Sequence, residues 1–271
     1  MIEHGARHLV LAGRRGAASP EARQAVAALC EAGAQVFVAQ TDVSQEEQVR
    51  ELMATIRGSL PPLRGVVHAA MVLADSTVLQ LNEGLLATVM TPKVLGTWNL
   101  HEQTLDEPLD FFVLFSSVAS VVGNPGQGNY AAANTFLDSF AAFRVAQGLP
   151  ALTVNWGVIA DVGYVARQAE RGERLMRKGI RAIPPDVALE VMGRLLQEGR
   201  VRAAVADMDW QQISRAMGSP RWAELLSSNG TAAPSGEQAA GFRQRLLEAS
   251  AKERVELLTA CLSGHLAAVL G

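Results

Sequence analysis

A hydroxyl, a phenol, a carboxamide and an ammonium group sit at offsets that let them meet around one carbonyl. Ser117 follows the apolar run Phe111–Phe115, and a turn rich in glycine, asparagine and proline (Gly123, Asn124, Pro125, Gly126, Gly128) separates it from Tyr130. Asn134 stands one helical turn beyond the tyrosine, on the same side of the helix. Lys93 lies on the preceding helix-like stretch. A proton donor together with a hydroxyl that binds the carbonyl is what hydride reduction of a ketone requires. An unperturbed tyrosine titrates near ~10. A nearby ammonium favours the phenolate, lowering that value and easing proton release, while Ser117 would hold and polarise the carbonyl. Singly, a lysine on a helix or a serine after a strand has an ordinary structural explanation. Together, on consecutive strand–helix units, the four point to chemistry, and they need no metal.

The elements that must position them alternate regularly. Apolar strand-like runs occur at His8–Ala12, Val36–Ala39, Val66–Ala70, Phe111–Phe115, Leu152–Trp156 and Ala203–Ala206. Stretches of 3.6 period lie at Glu21–Ala32, Gln45–Gly58, Asn82–His101 and Asn129–Gln147, and Pro184-Pro185-Asp186 starts a further helix running to about Gln197. In the first helix Val26, Leu29 and Cys30 are expected to form one buried face. Strands alternating with helices of this length imply an α/β fold, a doubly wound parallel sheet with helices on both faces. Ligands in such folds bind beyond the carboxyl ends of the strands.

The 271 residues are 49% hydrophobic and 19% charged, enough for a sizeable core, and the net charge of −3 gives no reason to expect nucleic acid or an acidic membrane as partner. Neither of the two cysteines, Cys30 and Cys261, has metal-ligand spacing, and both are expected to be buried apolar groups of a reducing compartment. No apolar stretch reaches the roughly 18 residues that span a bilayer, and the start lacks the layout of a signal peptide. A cytoplasmic protein is expected.

Beyond Asp161 the alternation loosens. Val165–Lys178 is charged and helix-prone, a candidate lid or an ordinary surface helix. Residues 226–238 have linker composition. Residues 239–271 carry an apolar stripe at Val255, Leu258, Leu262, Leu266 and Val269.

These residues resemble the ketoreductase domains of polyketide synthases, a branch of the short-chain dehydrogenase/reductase superfamily. Most of that superfamily carries YxxxK. The polyketide ketoreductases carry YxxxN with the lysine on the preceding helix, as Tyr130, Asn134 and Lys93 do. The resemblance also takes in Leu9-Val-Leu-Ala-Gly-Arg-Arg-Gly16, Thr41-Asp-Val43, Gly65-Val-Val-His-Ala-Ala70, Phe115-Ser-Ser-Val-Ala119, Asn155-Trp-Gly157 and Gly179-Ile-Arg-Ala-Ile-Pro184. It implies reduction, by NADPH, of a β-ketoacyl thioester held on the phosphopantetheine arm of an acyl carrier protein, beside other polyketide synthase domains. It assigns Tyr130 as proton donor, Ser117 as carbonyl binder, Lys93 as assisting cation and Asn134 as its neighbour. It further implies that Arg14 and Arg15 pair with the 2′-phosphate. Asp42 and Val43 would contact the adenine. His68, Ala69 and Ala70 would line the nicotinamide side, with His68 structural or lining rather than catalytic. Asn155, Trp156 and Gly157 would border the nicotinamide.

The sequence departs from that family in three places. It contains no GxGxxG, and Met1–Ala6 resembles the tail of the fold's first helix, so a Rossmann-like domain over residues 1–225 lacking its first strand and glycine-rich turn is expected. Residues 239–271 are expected to start a carrier-protein-like helical domain, Lys252–Gly271 resembling its first helix, without the serine that bears phosphopantetheine. The stereochemical markers are incomplete, with Leu73-Ala74-Asp75 in place of Leu-Asp-Asp and Val122 where one class carries tryptophan. Two alternatives to the reductase stay open: a catalytically impaired fragment with a scaffold or docking role, and a free-standing short-chain alcohol dehydrogenase.

Overall fold

The computed structural model describes residues 5–160 and 179–209, with isolated positions at 2, 212, 247, 249, 250, 253, 254 and 257. Residues 1–157 and 185–205 make one compact unit, and residues 158–184 with 206–271 make a second. The expected lid at Val165–Lys178 lies outside the described residues, as do the expected linker and, isolated positions apart, the expected carrier-like segment.

In the first unit the chain runs β1 (His8–Gly13), α1 (Pro20–Glu31), β2 (Gln35–Gln40), α2 (Glu46–Ser59), β3 (Gly65–His68), α3 (Glu83–Glu102), β4 (Phe111–Ser117), α4 (Ala119–Val122), α5 (Gly128–Ala146) and β5 (Leu152–Trp156). It returns as α6 (Pro185–Gln197) and β8 (Arg202–Val205). The second unit holds β6 (Val158–Ile159), β7 (Ile180–Ile183) and β9 (Asp207–Met208), with β6 parallel and β9 antiparallel to β7. The five long helices and six principal strands fall where the sequence pattern puts them, to within two residues.

Local chemistry starts and stops these elements. Ser19 caps α1, its hydroxyl accepting from Ala22 N at 3.1 Å, with Pro20 following as the first helical residue. The Asn82 carboxamide caps α3 in the same way, accepting from Leu85 N at 2.9 Å. Gly65 opens β3 because any side chain there would meet the Phe111 ring.

The strands of the first unit pair in parallel, but as two sheets. β1 pairs with β2, and β3, β4, β5 and β8 follow one another in that order. Val43, just past β2, and His68, ending β3, both lie against Gly96 of α3, so the two sheets present their carboxyl ends on the same side. Between β1 and β3 is a cavity of about 790 Å³, lined among others by Val10, Gly13, Arg14, Val43, Val67 and Ala69.

The two halves differ in burial. Every residue of β5 is buried, and both α5 and α6 pack on it, as a parallel strand covered on two faces requires. Phe112 and Leu114 of β4 form a core with Leu137, Phe140 and Ala141 of α5. Arg144 anchors α5 to this core, its guanidinium 4.0 Å from the Phe112 ring. The other half has a less completely buried core, Ala39 with Val49, Leu52, Met53 and Ile56 of α2. There α1 buries no residue at all, and Cys30 is exposed. This corrects the expected buried face of Val26, Leu29 and Cys30. The helix packs chiefly on β2, and a two-stranded sheet offers too little surface to bury it.

Hydrogen exchange should follow this asymmetry. Amides of β4 and β5 are expected to be protected longest, and those of β1, β2 and α1 to exchange at least about tenfold sooner. Equal protection in the two halves, read by mass spectrometry of peptides, would contradict the reading.

Candidate active site

Ser117 ends β4, where the chain leaves the sheet and turns into α4. Its hydroxyl accepts from Ala119 N at 3.2 Å, and Val118 N donates to Trp156 O at 2.9 Å, fixing the turn to β5. Tyr130 lies in the first turn of α5. Asn129 fastens that end, its amide donating to Ala74 O at 2.8 Å and its carbonyl accepting from Tyr130 N at 2.9 Å. Gln127 reaches the Asp75 carboxylate at 3.0 and 3.1 Å, and Ser76 N donates to Gly126 O at 2.8 Å. The segment after β3 is therefore tied to the turn that presents the phenol. Sequence reading assigned no role to Gln127 or Asn129.

Lys93 comes to the same place from α3. It is 2% exposed, and its ammonium donates to Phe115 O at 2.9 Å, two residues before Ser117. Its Nζ lies 5.9 Å from the centroid of the Tyr130 ring. The fully buried Asn134 donates its amide to Tyr130 O at 2.8 Å, leaving Oδ1 buried without a partner. The four expected residues thus converge at the carboxyl end of β4.

The electrostatics differ from the expectation at one point. Burial pushes the Tyr130 phenol above its ordinary value, the hydrogen-bonding groups of Ser117 and Asn134 pull it down, and the Asp75 charge raises it further. The expected lowering by Lys93 does not prevail, because burial is the largest influence on the phenol. Lys93 itself is pushed down to about 8, chiefly by burial, with Asp138 opposing the fall. His68 is pushed down to about 4 by burial and then by the Lys93 charge, against the Pro92 carbonyl. A neutral His68 must donate Nε2–H to Pro92 O, 3.1 Å away, since a carbonyl can only accept. The imidazole so steadies the helix next to Lys93.

The other sequence-marked residues divide in two. Arg14, Asp42, Val43, His68, Ala69 and Ala70 line the cavity at the strand ends, and the charges of Arg14 and Asp42 interact. The Asp42 carboxylate, held below its usual range mainly by the Ser44 hydroxyl, accepts that hydroxyl at 2.7 Å and Ser44 N at 3.0 Å. Arg15, Asn155, Trp156 and Gly157 are not in that lining. Asn155 turns its amide inward to Ser116, Ser120 and Asp138. Trp156 is buried against Phe115, ring centroids 5.5 Å apart, and Gly157 N donates to Val205 O.

Sheet order, crossover helices and the placement of this cluster define a Rossmann-like fold of short-chain dehydrogenase/reductase type. The KR domain family matches residues 1–161, and the chain belongs to that family, the ketoreductase domains of polyketide synthases. A phenolphthiocerol synthesis polyketide synthase of Mycobacterium marinum is 44% identical over 195 residues, which is 71% of this chain and 9% of that protein. Erythronolide synthase EryA2 of Saccharopolyspora erythraea is 37% identical over 274 residues, covering 100% of this chain and 8% of the relative. The chain thus spans under a tenth of the length of these two relatives. Among solved structures, an A-type ketoreductase from a modular polyketide synthase superposes with a TM-score of 0.76 at 40% identity, over 80% of this chain and 45% of that one. The first ketoreductase of the tylosin polyketide synthase gives 0.70 at 38%, over 78% and 46%. No helix among the described residues is long and apolar enough to cross a membrane, and none of their His, Cys, Asp and Glu side chains cluster as a metal site.

The buried lysine makes a stability prediction. Its folded value, about 8, lies below the ordinary 10.5. Between those values the unfolded chain binds more protons than the folded one, so stability rises with pH across that window and the cost is complete below it. The cost is about 3 kcal/mol. Lys93→Met removes the titrating group and should flatten the rise above pH 8. Urea unfolding at pH 7 and at pH 9.5 checks it, and an unchanged slope with pH would refute the assignment.

Proposed function

We propose that this chain is an NADPH-dependent reductase of β-ketoacyl thioesters, acting within a polyketide synthase on a substrate carried by the phosphopantetheine arm of an acyl carrier protein. The observation that carries the reading is the meeting of Ser117, Tyr130, Lys93 and Asn134 at one strand end. The cavity residues fit the two ends of a dinucleotide. Arg14 is a cation suited to the 2′-phosphate, with Arg15 beside it in sequence, Asp42 and Val43 suit the adenine, and Ala69 and Ala70 are small enough to admit the nicotinamide side. The pyrophosphate has no glycine-rich turn in this sequence to receive it. When bound, the cofactor supplies hydride to the ketone carbon.

The chain's own groups handle the oxygen. Ser117 donates a hydrogen bond to it and so favours the charge that develops as the carbonyl is reduced. Tyr130 gives its phenolic proton to that oxygen, completing the alcohol. A phenol held above its ordinary value is protonated throughout the neutral range, which a donor needs. The Lys93 ammonium then stabilises the phenolate until solvent returns the proton, and Asn134 fixes the α5 turn that carries the ring.

A second reading, a ketoreductase fold retained as a scaffold or as a docking surface for carrier or neighbouring synthase domains, is favoured by one observation. The β1–β2 and β3–β4–β5–β8 sheets are separate, and the cofactor cavity lies between them.

NADPH oxidation with a β-ketoacyl N-acetylcysteamine thioester distinguishes the two. The reductase reading expects turnover, and a loss of at least about a hundredfold in Tyr130→Phe with NADPH binding retained. Turnover retained in Tyr130→Phe removes the phenol from its role. NADPH binding without turnover in the native chain transfers the case to the scaffold.

A further inference from the structure

Tyr130, Asn134 and Asp138 follow one another at single-turn intervals, so they share one face of α5. The first two belong to the proposed site. The third, 6% exposed, has no part in the chemistry described above. Its carboxylate accepts the Asn155 amide at 2.8 Å on Oδ1 and 2.9 Å on Oδ2, and Oδ2 also lies 3.0 Å from the Ser120 hydroxyl. Ser120 is also 2.8 Å from Ser117 O, the backbone of the proposed carbonyl binder. The Asn155 amide extends the network to Ser116 Oγ at 3.1 Å, which in turn donates to Asn134 O at 3.2 Å. A buried carboxylate fixed by β4, β5, α4 and α5 cannot turn away to find solvent, and its charge is felt at Lys93.

We propose that Asp138 is a positioning residue for this site, held rigidly behind the Ser117 turn so as to supply the buried negative charge that keeps the Lys93 ammonium in place. The groups that face Lys93 support the assignment. From β3 comes neutral His68, from β4 the Phe115 carbonyl, and from α5 the uncharged Tyr130 ring and Asp138. Asp75, on the segment after β3, acts on Tyr130. Among the described residues, α5 brings a carboxylate whose charge is felt at the lysine, Asp138. A lone buried ammonium would shed its proton. A carboxylate without hydrogen bonds would cost as much in its own right. The Asn155–Ser120 clamp meets that second demand.

The inference rests on Lys93 as the assisting cation, yet its test needs neither cofactor nor turnover. The chain has only three lysines, Lys93, Lys178 and Lys252, so carbon-13 labelling of lysine gives three side-chain titrations, two of them internal references. Asp138→Asn keeps the shape and removes the charge, and should lower the Lys93 midpoint by about one pH unit or more. Asp138→Glu keeps the charge and should restore most of the shift. An unmoved Lys93 midpoint in folded Asp138→Asn overturns the proposal. Should that variant not fold, the native protein decides. Its Asp138 carboxyl carbon should show an inflection at the Lys93 midpoint that vanishes in Lys93→Met, and a flat resonance through that pH range overturns it equally. Absence of reductase activity would count against the proposed function while leaving these titrations intact.

Discussion

An ammonium group with 2% exposure sets the terms for the rest of this site. Taking Lys93 out of water costs several kcal/mol before any partner is counted, and each neighbour can be understood by how it offsets that cost. The Phe115 carbonyl accepts one hydrogen bond, the Tyr130 ring offers its negative face, and the Asp138 carboxylate lies in the same dry region. For all three to be present, α3 and α5 must pack side by side beneath the end of β4. Gly96 makes part of this possible, since a methyl group there would press on Val43 at 2.9 Å and on His68 at 3.2 Å. His68 in turn must be neutral, because a second cation beside Lys93 would undo the balance.

The same demand explains why rigidity is concentrated in one half of the fold. Ser117, Tyr130, Lys93 and Asn134 all hang on β4, α3 and α5, whose shared core contains residues with no exposure, Phe112, Leu114, Leu137 and Ala141 among them. The residues proposed for the adenine end of a dinucleotide hang on β1, β2 and the turn after them, where the core is less completely buried and α1 buries nothing. Proton transfer tolerates little misplacement, whereas a bound cofactor can order the segments that grip it. A crevice with one rigid wall and one looser wall is consistent with the proposed division between proton transfer and cofactor binding.

Much of this was legible in the sequence, and the reasons are physical. Strand and helix periods differ, so the alternation of elements could be read directly, and the four site residues announced themselves by spacing along a strand end and a helix face. What the periods could not show is what covers a face. The stripe of Val26, Leu29 and Cys30 is apolar at helical spacing, yet Cys30 is exposed, the helix being covered chiefly by β2. Spacing likewise could not give the direction of a buried side chain. Asn155 reads as a residue at a strand end near a cofactor, but its amide points into the core. The network of Ser116, Ser120, Asp138 and Asn155 escaped notice altogether, since four polar residues from four elements have no common period.

That network bears on why such a costly arrangement persists. Among the described residues, the buried side-chain atoms lacking a partner include Asn134 Oδ1, Asn155 Oδ1 and Trp156 Nε1, all beside the end of β4 or on its neighbours β5 and α5. Each such atom costs on the order of 1–3 kcal/mol, added to the charge of Lys93. Apolar residues of similar size would fill these positions at lower free energy. A core selected for stability alone would not gather a buried lysine, a buried carboxylate, two unsatisfied amide oxygens and an unsatisfied indole near one strand end. Where local rules are broken together and in one place, the break is expected to coincide with function. Here it coincides with the group of side chains that the spacing of Tyr130, Asn134, Ser117 and Lys93 had already marked.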